Sequence, residues 1–298
     1  MEQQLMMLAA QQGIRLLCGE PLSRHTTFQI GGPARWLALP ETETQLCALL
    51  ELAAEQGLRF AVIGRGSDLL APDEGFDGLV IRTPEGAPVW LDETTVQVPA
   101  GYSLSRLSAL AAERGLAGLT FAQGIPGTVG GGILMNAGAY GGQISDTLVS
   151  SVCHTPEGLR ELSAAEHDFA YRSSVYSRHP DWIVLHGVFR LQPGDRAQLL
   201  AEMADYGARR REKQPLEYPS AGSAFKRPAG QFAGRLIEEC GLKGCRVGGA
   251  QVSEKHAGFI INRGGATCAD VLALIRLVQE RVQAQTGVLL EPEIRVLK

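Results

Sequence analysis

The chain has 298 residues with a formal net charge of −4, and 45% of its residues are hydrophobic. This share of apolar residues is sufficient for a folded core and excludes a largely disordered chain. A slightly acidic protein lacks the bulk charge that coats nucleic acid or an anionic membrane, so neither partner is predicted.

The sequence shows no targeting or metal-binding pattern. No segment approaches the roughly 18 apolar residues of a membrane span, so no membrane insertion is expected. The first residues lack the basic and apolar regions of a signal peptide, which favours a cytoplasmic location. The six cysteines have no C-x-x-C spacing and no histidine pair has zinc spacing. They are predicted to be reduced thiols, and no metal site is expected.

Hydrophobic spacing and capping residues predict the elements in chain order. Helices are predicted at Glu2–Gln12, from the Thr42 capping box to Gly57, at Ser103–Arg114, Asp195–Glu212 and Phe232–Cys240, and from Thr267 to Gly287. Strands are predicted at Ala34–Leu39, Phe60–Ile63, Leu79–Ile81, Thr95–Val98, Leu148–His154, Trp182–Leu191, Gly258–Asn262 and, interrupted by Pro292, Val288–Leu297. Residues 215–228 are predicted to be a loop. Because helices and strands do not alternate regularly, the pattern favours an α+β fold over a doubly wound sheet or barrel.

A glycine turn, Gly64-Arg65-Gly66-Ser67-Asp68, directly follows one predicted strand. Backbone amides in such a turn can cradle a phosphate, and Ser67 adds a hydroxyl donor. The sequence is not the dinucleotide-binding fingerprint, because Leu69 takes the sixth position and a strand is expected to follow. A tight turn between two strands explains the segment equally well.

A second glycine segment runs from Gly124 to Gly132 and holds five glycines in nine residues. The small residues 137–142 and Asn136 prolong this surface. Close packing of a helix start on a sheet is the alternative explanation. Two such segments in one chain favour a large phosphorylated cofactor.

Three polar residues are candidates for substrate chemistry. Arg172 lies in a polar loop, where its planar fork could bind a carboxylate, although such arginines are more often solvated. Ser223 lies among small residues but not in a G-x-S-x-G motif, so a serine hydrolase is not expected. Glu293 opens the final predicted strand, where it points inward or remains a surface carboxylate.

A basic run, Arg209-Arg210-Arg211 with Lys213, ends a predicted helix. Cations are favoured at a helix C-terminus by the helix dipole. A diphosphate-bearing substrate would use the same charges.

These segments occur in the order and spacing of one family. The matching motifs are Gly64–Asp68, Gly124–Gly142 with Met135-Asn136-Ala137-Gly138-Ala139-Tyr140-Gly141, Tyr171-Arg172-x-Ser174, Gly222-Ser223-x-Phe225-Lys226 and Glu291-Pro292-Glu293. Of these, the Gly124–Gly142 and Gly222–Lys226 stretches are highly specific. From about Leu22 to Lys298 the chain resembles the UDP-N-acetylmuramate dehydrogenases of bacterial peptidoglycan synthesis, in the shorter form that lacks a substrate-covering loop. The resemblance implies an α+β fold with a two-part FAD-binding region of the vanillyl-alcohol-oxidase type, residues 1–91 and 92–200. A smaller α+β substrate domain, 201–298, is implied to follow.

The resemblance also implies an activity. NADPH is the expected co-substrate, FAD the non-covalent cofactor, and UDP-N-acetylglucosamine enolpyruvate the substrate that is reduced to UDP-N-acetylmuramate; a monomer is expected. The residues implied to hold FAD are Ile63, Gly64, Arg65, Gly66, Ser67, Asp68, Leu69, Ala122, Gly124, Ile125, Pro126, Gly127, Thr128, Gly130, Gly131, Asn136, Ala137, Gly138 and Ala139.

The same resemblance assigns roles to the polar candidates. Arg172 is implied to bind the substrate carboxylate and Ser223 to donate a proton. Glu293 is implied to be protonated, so that it assists the anion formed by hydride addition and does not repel it. The residues implied to contact substrate are Tyr171, Arg211, Lys213, Lys226, Arg227 and His256. There are two departures from the family pattern. Asp68 stands where the family often has asparagine, and Arg227 replaces an asparagine with which the longer form contacts substrate.

Two other functions fit part of the pattern. An FAD-dependent alcohol oxidase would keep both glycine segments but has no need for Arg172, Ser223 and Glu293 together. A catalytically silent flavin-binding or UDP-sugar-binding protein is the third possibility.

Overall fold

The computed structural model describes residues 2–298. The helices are α1 (Glu2–Gln12), α2 (Glu43–Glu55), α3 (Leu104–Glu113), α4 (Val129–Leu134), α5 (Val175–Arg178), α6 (Arg196–Lys213), α7 (Ala233–Glu239) and α8 (Cys268–Thr286). The strands are β1 (Arg15–Pro21), β2 (Pro33–Leu39), β3 (Phe60–Ile63), β4 (Leu69–Leu70), β5 (Phe76–Arg82), β6 (Val89–Trp90), β7 (Thr95–Pro99), β8 (Leu116–Ala117), β9 (Gly138–Ala139), β10 (Gly142–Gln143), β11 (Leu148–Thr155), β12 (Gly158–Ser163), β13 (Ile183–Arg190), β14 (Gln192–Pro193), β15 (Ser220–Ser223), β16 (Arg246–Val247), β17 (Ala250–Val252), β18 (Phe259–Asn262) and β19 (Arg295–Val296).

The six predicted helices are all present, with ends within a few residues of those expected. Capping chemistry explains this agreement. The Thr42 hydroxyl accepts from the Gln45 N–H and the Thr267 hydroxyl from the Asp270 N–H, each at the predicted helix start. Helix α4 was not predicted, because its three glycines have poor helix propensity.

The strand predictions differ from the structure at several positions. Residues 288–297 form only the two-residue strand β19, because Pro292 lacks an N–H to donate. The segment predicted to be a loop contains β15, which pairs antiparallel with β18. Strands β1 and β12 were also missed.

Most strand pairs are antiparallel, as an α+β fold predicts. One five-stranded sheet has the order β12-β11-β13-β7-β6, and one four-stranded sheet has the order β15-β18-β17-β16. A further four-stranded sheet has the order β1-β2-β5-β3, in which β3 and β5 are parallel. Strand β19 pairs in parallel with β4. Among residues 2–298, no helix is long and apolar enough to cross a membrane.

The chain forms two compact units, each assembled from separate segments. The first comprises residues 2–17, Leu37–Arg65 and Leu79–Arg209. Its core lies between the five-stranded sheet and helices α3 and α4, and the fully buried Val98, Leu107 and Phe189 belong to it.

The second unit comprises Cys18–Trp36, Gly66–Gly78 and Arg210–Lys298. Helix α8 supplies its central stripe, of which Val271, Leu274, Val278 and Val282 have no solvent exposure. The stripe packs in one cluster with Phe28. The helical spacing of these apolar residues had predicted this core face.

The N-terminus of α8 is held by two carboxylates. Asp73 accepts hydrogen bonds from the Cys268 and Ala269 N–H groups at 2.7 and 3.0 Å. Asp270 accepts from the Gly249 and Thr267 N–H groups, both at 3.1 Å. These amides hold the pKa of Asp270 below its usual value, with the Gly249 N–H as the largest cause.

This depressed pKa predicts acid-sensitive stability. The ionised Asp270 stabilises the fold above the unfolded-state pKa, and this contribution is lost as pH falls through the lower folded-state pKa. We expect Asp270→Asn to lower the free energy of unfolding by about 1 kcal/mol at pH 7. The difference from the unsubstituted protein should shrink as pH falls below about 4.

Urea unfolding monitored by circular dichroism between pH 3 and 7 measures this effect. Glu280→Gln, which removes an exposed carboxylate from the middle of the same helix, is the matched control. A difference between Asp270→Asn and the unsubstituted protein that does not change with pH would contradict the assignment.

Candidate active site

The two glycine segments meet within the first unit. Strand β3 ends at the buried Ile63, and Gly64 follows at once. A Cβ added to Gly64 would lie 2.5 Å from the Thr128 Oγ1 atom, closer than real Cβ contacts. Glycine is therefore required for this approach, and a tight turn between strands does not by itself explain it.

Close packing of a helix start on a sheet accounts for part of the second segment. The Thr128 hydroxyl accepts from the Gly131 N–H at the start of α4. A Cβ on Gly130 would lie 2.8 Å from the Ala100 Cβ, and one on Gly132 would lie 3.2 Å from the Leu104 Cδ2. These two glycines let the helix pack flush on its neighbours, as the alternative explanation predicted.

Other glycines of this segment are not explained by protein packing. Gly131 is exposed, and a Cβ there would meet only the Thr128 Oγ1 at 3.6 Å. Gly124 is also exposed and has φ +73°. A strip of accessible backbone without side chains, next to the Gly64 turn, fits a flat cofactor that carries phosphates.

The end of the first glycine turn belongs to the second unit. Gly66 has φ +61°, and a Cβ there would lie 2.4 Å from the His25 carbonyl oxygen. The Asp68 carbonyl accepts from the Arg295 N–H at 3.0 Å, directly before the parallel pair of β4 and β19. This turn therefore lies beside the segment that carries Glu293.

The structure brings Ser223 and Glu293 together through main-chain hydrogen bonds. Ser223 ends β15 opposite Phe259 and is exposed. The next residue, Ala224, accepts from the Glu293 N–H at 2.9 Å. An isolated bridge joins Phe225 to Pro292. Two motifs some 70 positions apart in sequence thus form one continuous edge of the second unit.

Arg172 lies at the tip of a tight turn in the first unit. The backbones of Ala170 and Ser173 hydrogen-bond to each other at 3.1 and 3.2 Å, which leaves Tyr171 and Arg172 between them. The Arg172 Nη2 donates to the Gly138 carbonyl at 3.2 Å, and the guanidinium lies 5.0 Å from the Tyr171 ring centroid. Arg172 is half-buried, so its charge remains accessible.

His256 is oriented by a turn next to Ala224. Its Nδ1 accepts from the Gly258 N–H at 3.1 Å, and the Gly258 carbonyl accepts from the Ala224 N–H. Burial is the largest cause that lowers the pKa of His256. The ring is therefore neutral at pH 7, with its proton on Nε2 because Nδ1 is the acceptor.

The remaining predicted substrate residues differ in how their charges are engaged. The Lys226 ammonium forms an ion pair with Glu291, and the Arg227 guanidinium lies 4.4 Å from the Phe232 ring centroid. Arg211 and Lys213 are exposed in the last turn of α6, as the sequence predicted.

Sequence reasoning missed Lys255. Its ammonium donates to the Arg211 carbonyl at 2.7 Å and so neutralises the C-terminal end of α6. The Ser253 hydroxyl accepts from the N–H groups of both Lys255 and His256. The serine two residues before a Lys-His pair was a turn signal that could have identified this cation. Within residues 2–298, no group of acidic, histidine or cysteine side chains could hold a metal ion.

Comparisons with known proteins agree with this arrangement. Residues 34–162 match a family model described as an FAD binding domain. Residues 214–297 match a model described as UDP-N-acetylenolpyruvoylglucosamine reductase, C-terminal domain. The predicted order of an FAD-binding region and a smaller C-terminal domain is confirmed, and so is FAD as the cofactor.

Full-length relatives carry the same name. The chain is 47% identical to a UDP-N-acetylenolpyruvoylglucosamine reductase of Agathobacter rectalis, with 95% of this chain and 94% of that protein covered. It is 46% identical to the enzyme of Geobacillus kaustophilus, with 95% and 93% covered. The crystal structure of a UDP-N-acetylenolpyruvylglucosamine reductase from Thermus caldophilus superposes with a TM-score of 0.81 at 36% identity, covering 96% of this chain and 99% of that one. The chain belongs to the UDP-N-acetylenolpyruvoylglucosamine reductase family.

Proposed function

We propose that the chain reduces the enolpyruvyl group of UDP-N-acetylglucosamine enolpyruvate to the lactyl ether of UDP-N-acetylmuramate, with NADPH as reductant. The structural observation that carries this proposal is the main-chain pairing of the two segments of the second unit that hold Ser223 and Glu293. FAD, when bound, would supply hydride transfer between NADPH and the vinyl carbon remote from the substrate carboxylate.

The residues proposed to hold FAD are those of the two glycine segments. The accessible backbone at Gly124 and Gly131, and the close approach of Gly64 to Thr128, support this assignment. Backbone N–H groups and the Ser67 hydroxyl are the donors for its phosphates. Asp68 adds a carboxylate to the same turn.

Arg172 is proposed to stabilise the charge that hydride addition creates. The electron pair of the double bond moves onto the carboxyl-bearing carbon, so an enolate with two negative charges develops there. A guanidinium held in place binds both carboxylate oxygens and is most effective when it is preorganised. The tight turn that carries Arg172, together with the hydrogen bond from its guanidinium to the Gly138 carbonyl, supports this preorganisation.

Ser223 is proposed to give its hydroxyl proton to the same carbon. A serine hydroxyl is a weak acid, but an enolate is basic enough to accept a proton from a hydroxyl held close to it. The main-chain bond of Ala224 to Glu293 keeps the Glu293 side chain on the neighbouring strand segment. In its protonated form Glu293 assists the developing anion without repelling it.

The basic groups of the second unit are proposed to bind the UDP diphosphate. The cations are Arg211 and Lys213 in the last turn of α6 and Lys255, whose ammonium contacts the Arg211 carbonyl and also pairs with Glu217 at 3.8 Å. The His256 Nε2–H supplies a neutral donor. We also assign substrate contacts to Lys226, Arg227 and Tyr171. When substrate binds, the Lys226 ammonium leaves its ion pair with Glu291 and contacts substrate oxygens instead.

The division into residues 1–91, 92–200 and 201–298, the cytoplasmic location and the monomeric state belong to the same proposal. The absence of a membrane-spanning helix in residues 2–298 is compatible with that location.

Anaerobic absorption spectroscopy tests the activity on the purified protein. The flavin band should bleach when NADPH is added and return when the enolpyruvyl substrate follows. Bleaching without return would refute the substrate, and failure to bind added FAD would refute the assignment of both glycine segments.

The Ser223→Ala variant separates the two halves of the reaction. Flavin binding and bleaching by NADPH should be unchanged, whereas product formation should fall by about 100-fold or more, because no group then supplies the proton. Ser220→Ala, in the same strand, is the matched control. Normal turnover of Ser223→Ala would remove Ser223 as the proton donor.

Gly131→Ala tests the approach of FAD to α4. The added methyl meets no obstruction within the protein, and alanine in a helix is favoured by about 1 kcal/mol, so thermal stability should be retained or raised. The affinity for FAD should nevertheless fall, because the methyl lies on the accessible face of the helix. Fluorescence titration of the apoprotein measures this affinity. Unchanged FAD binding would show that the cofactor does not approach Gly131.

A further inference from the structure

Asn136 connects three segments of the first unit through its side chain. It is 3% exposed and follows helix α4. Its Nδ2 donates to the Ala170 carbonyl at 3.2 Å and to the Gln143 Oε1 at 3.3 Å, and its Oδ1 accepts from the Ser145 N–H at 3.1 Å. Because Ala170 offers a main-chain acceptor and Ser145 a main-chain donor, the amide has only one satisfactory orientation.

The Ala170 carbonyl is the base of the turn that carries Arg172. Arg172 has φ +54°, a left-handed conformation that residues with a side chain rarely adopt. Such a conformation persists only where surrounding contacts determine it. The turn therefore depends on groups outside its own four residues.

Three contacts supply this constraint, and all go to the segment that ends α4. The Asn136 amide holds Ala170 on one side of the turn. The Ser174 hydroxyl donates to the Leu134 carbonyl at 2.8 Å on the other side. The Arg172 guanidinium donates to the Gly138 carbonyl at its tip. Asn136 is the one of these residues that also holds the following hairpin, through Gln143.

We propose that Asn136 is a positioning residue for Arg172. It fixes the turn against the end of α4 and so sets where the guanidinium meets the substrate carboxylate. This inference rests on the proposed carboxylate-binding role of Arg172. The Asn136 amide uses both of its polar atoms on protein groups, so this positioning role replaces the FAD contact that the family resemblance implied for its side chain.

Asn136→Gly is the appropriate variant. Glycine adopts the φ of +41° at this position without strain, so the chain path is preserved while the amide is deleted. We expect flavin content and the rate of bleaching by NADPH to stay within about threefold of the unsubstituted enzyme. The kcat/KM for the enolpyruvyl substrate should fall by about 100-fold, the usual effect of a small misplacement of a binding group.

A double variant identifies the path of the effect. If Asn136 acts through Arg172, Asn136→Gly should have little further effect in an Arg172→Ala background. Gln143→Ala is the matched control, because it removes the other acceptor of the Asn136 amide and leaves the Ala170 bond. Its kcat/KM should stay within about threefold of the unsubstituted value.

Hydrogen–deuterium exchange provides a readout that does not depend on activity. The Ser173 N–H donates to the Ala170 carbonyl, so its exchange should accelerate in Asn136→Gly and not in Gln143→Ala. Additive effects in the double variant, lost flavin or unchanged Ser173 exchange would each overturn the inference. If the unsubstituted enzyme fails to turn over the enolpyruvyl substrate while exchange changes as expected, the function fails and the positioning of Arg172 stands.

Discussion

Close packing of α4 on the five-stranded sheet is the constraint on which the first unit depends. Gly130 permits contact with Ala100, and on the sheet a Cβ at Gly187 would lie 2.7 Å from the Ile133 Cδ1. Glycine is needed on both sides of this interface. The helix has only six residues, so its position fixes both of its ends. Thr128 caps the first end, and the side chain of Asn136 makes its hydrogen bonds, here called the Asn136 clamp, beyond the second. One short packed element therefore orients the cofactor segment and the arginine turn together.

The second unit positions Ser223 and Glu293, the groups proposed to act on the substrate, differently, through main-chain pairing. Ser223 and Glu293 lie on neighbouring segments because the Ala224 carbonyl accepts from the Glu293 N–H, and Arg295 extends the same edge to Asp68. Main-chain bonds depend little on which side chains are present. The pairing of this edge therefore does not use the side chains of Ser223 and Glu293, whereas in the first unit the Asn136 amide and the Ser174 hydroxyl themselves hold the turn.

The helices could be predicted, and the motif around Ser223 could be recognised, because both signals are local. The Thr267 cap and the apolar stripe of α8 lie within one turn or one face of a helix, and the motif around Ser223 is contiguous in sequence. The strand β15 could not be predicted, because its partner β18 is remote in sequence. The hydrogen bonds of the Asn136 side chain could not be predicted for the same reason. Its partner Ala170 is 34 residues away, and the sequence only indicated an asparagine beside glycines.

The segmented construction of the second unit has a consequence for its biosynthesis. Thr27 donates to the Ser220 carbonyl across 193 residues, and Cys268 donates to Asp73 across 195. At roughly 5–20 residues per second, the early segments leave the ribosome about 10 to 40 seconds before their partners. Until then the apolar side chains of Phe28 and Leu70 lack their native cover. Nascent chains are accordingly expected to be substrates for ribosome-associated chaperones during this interval.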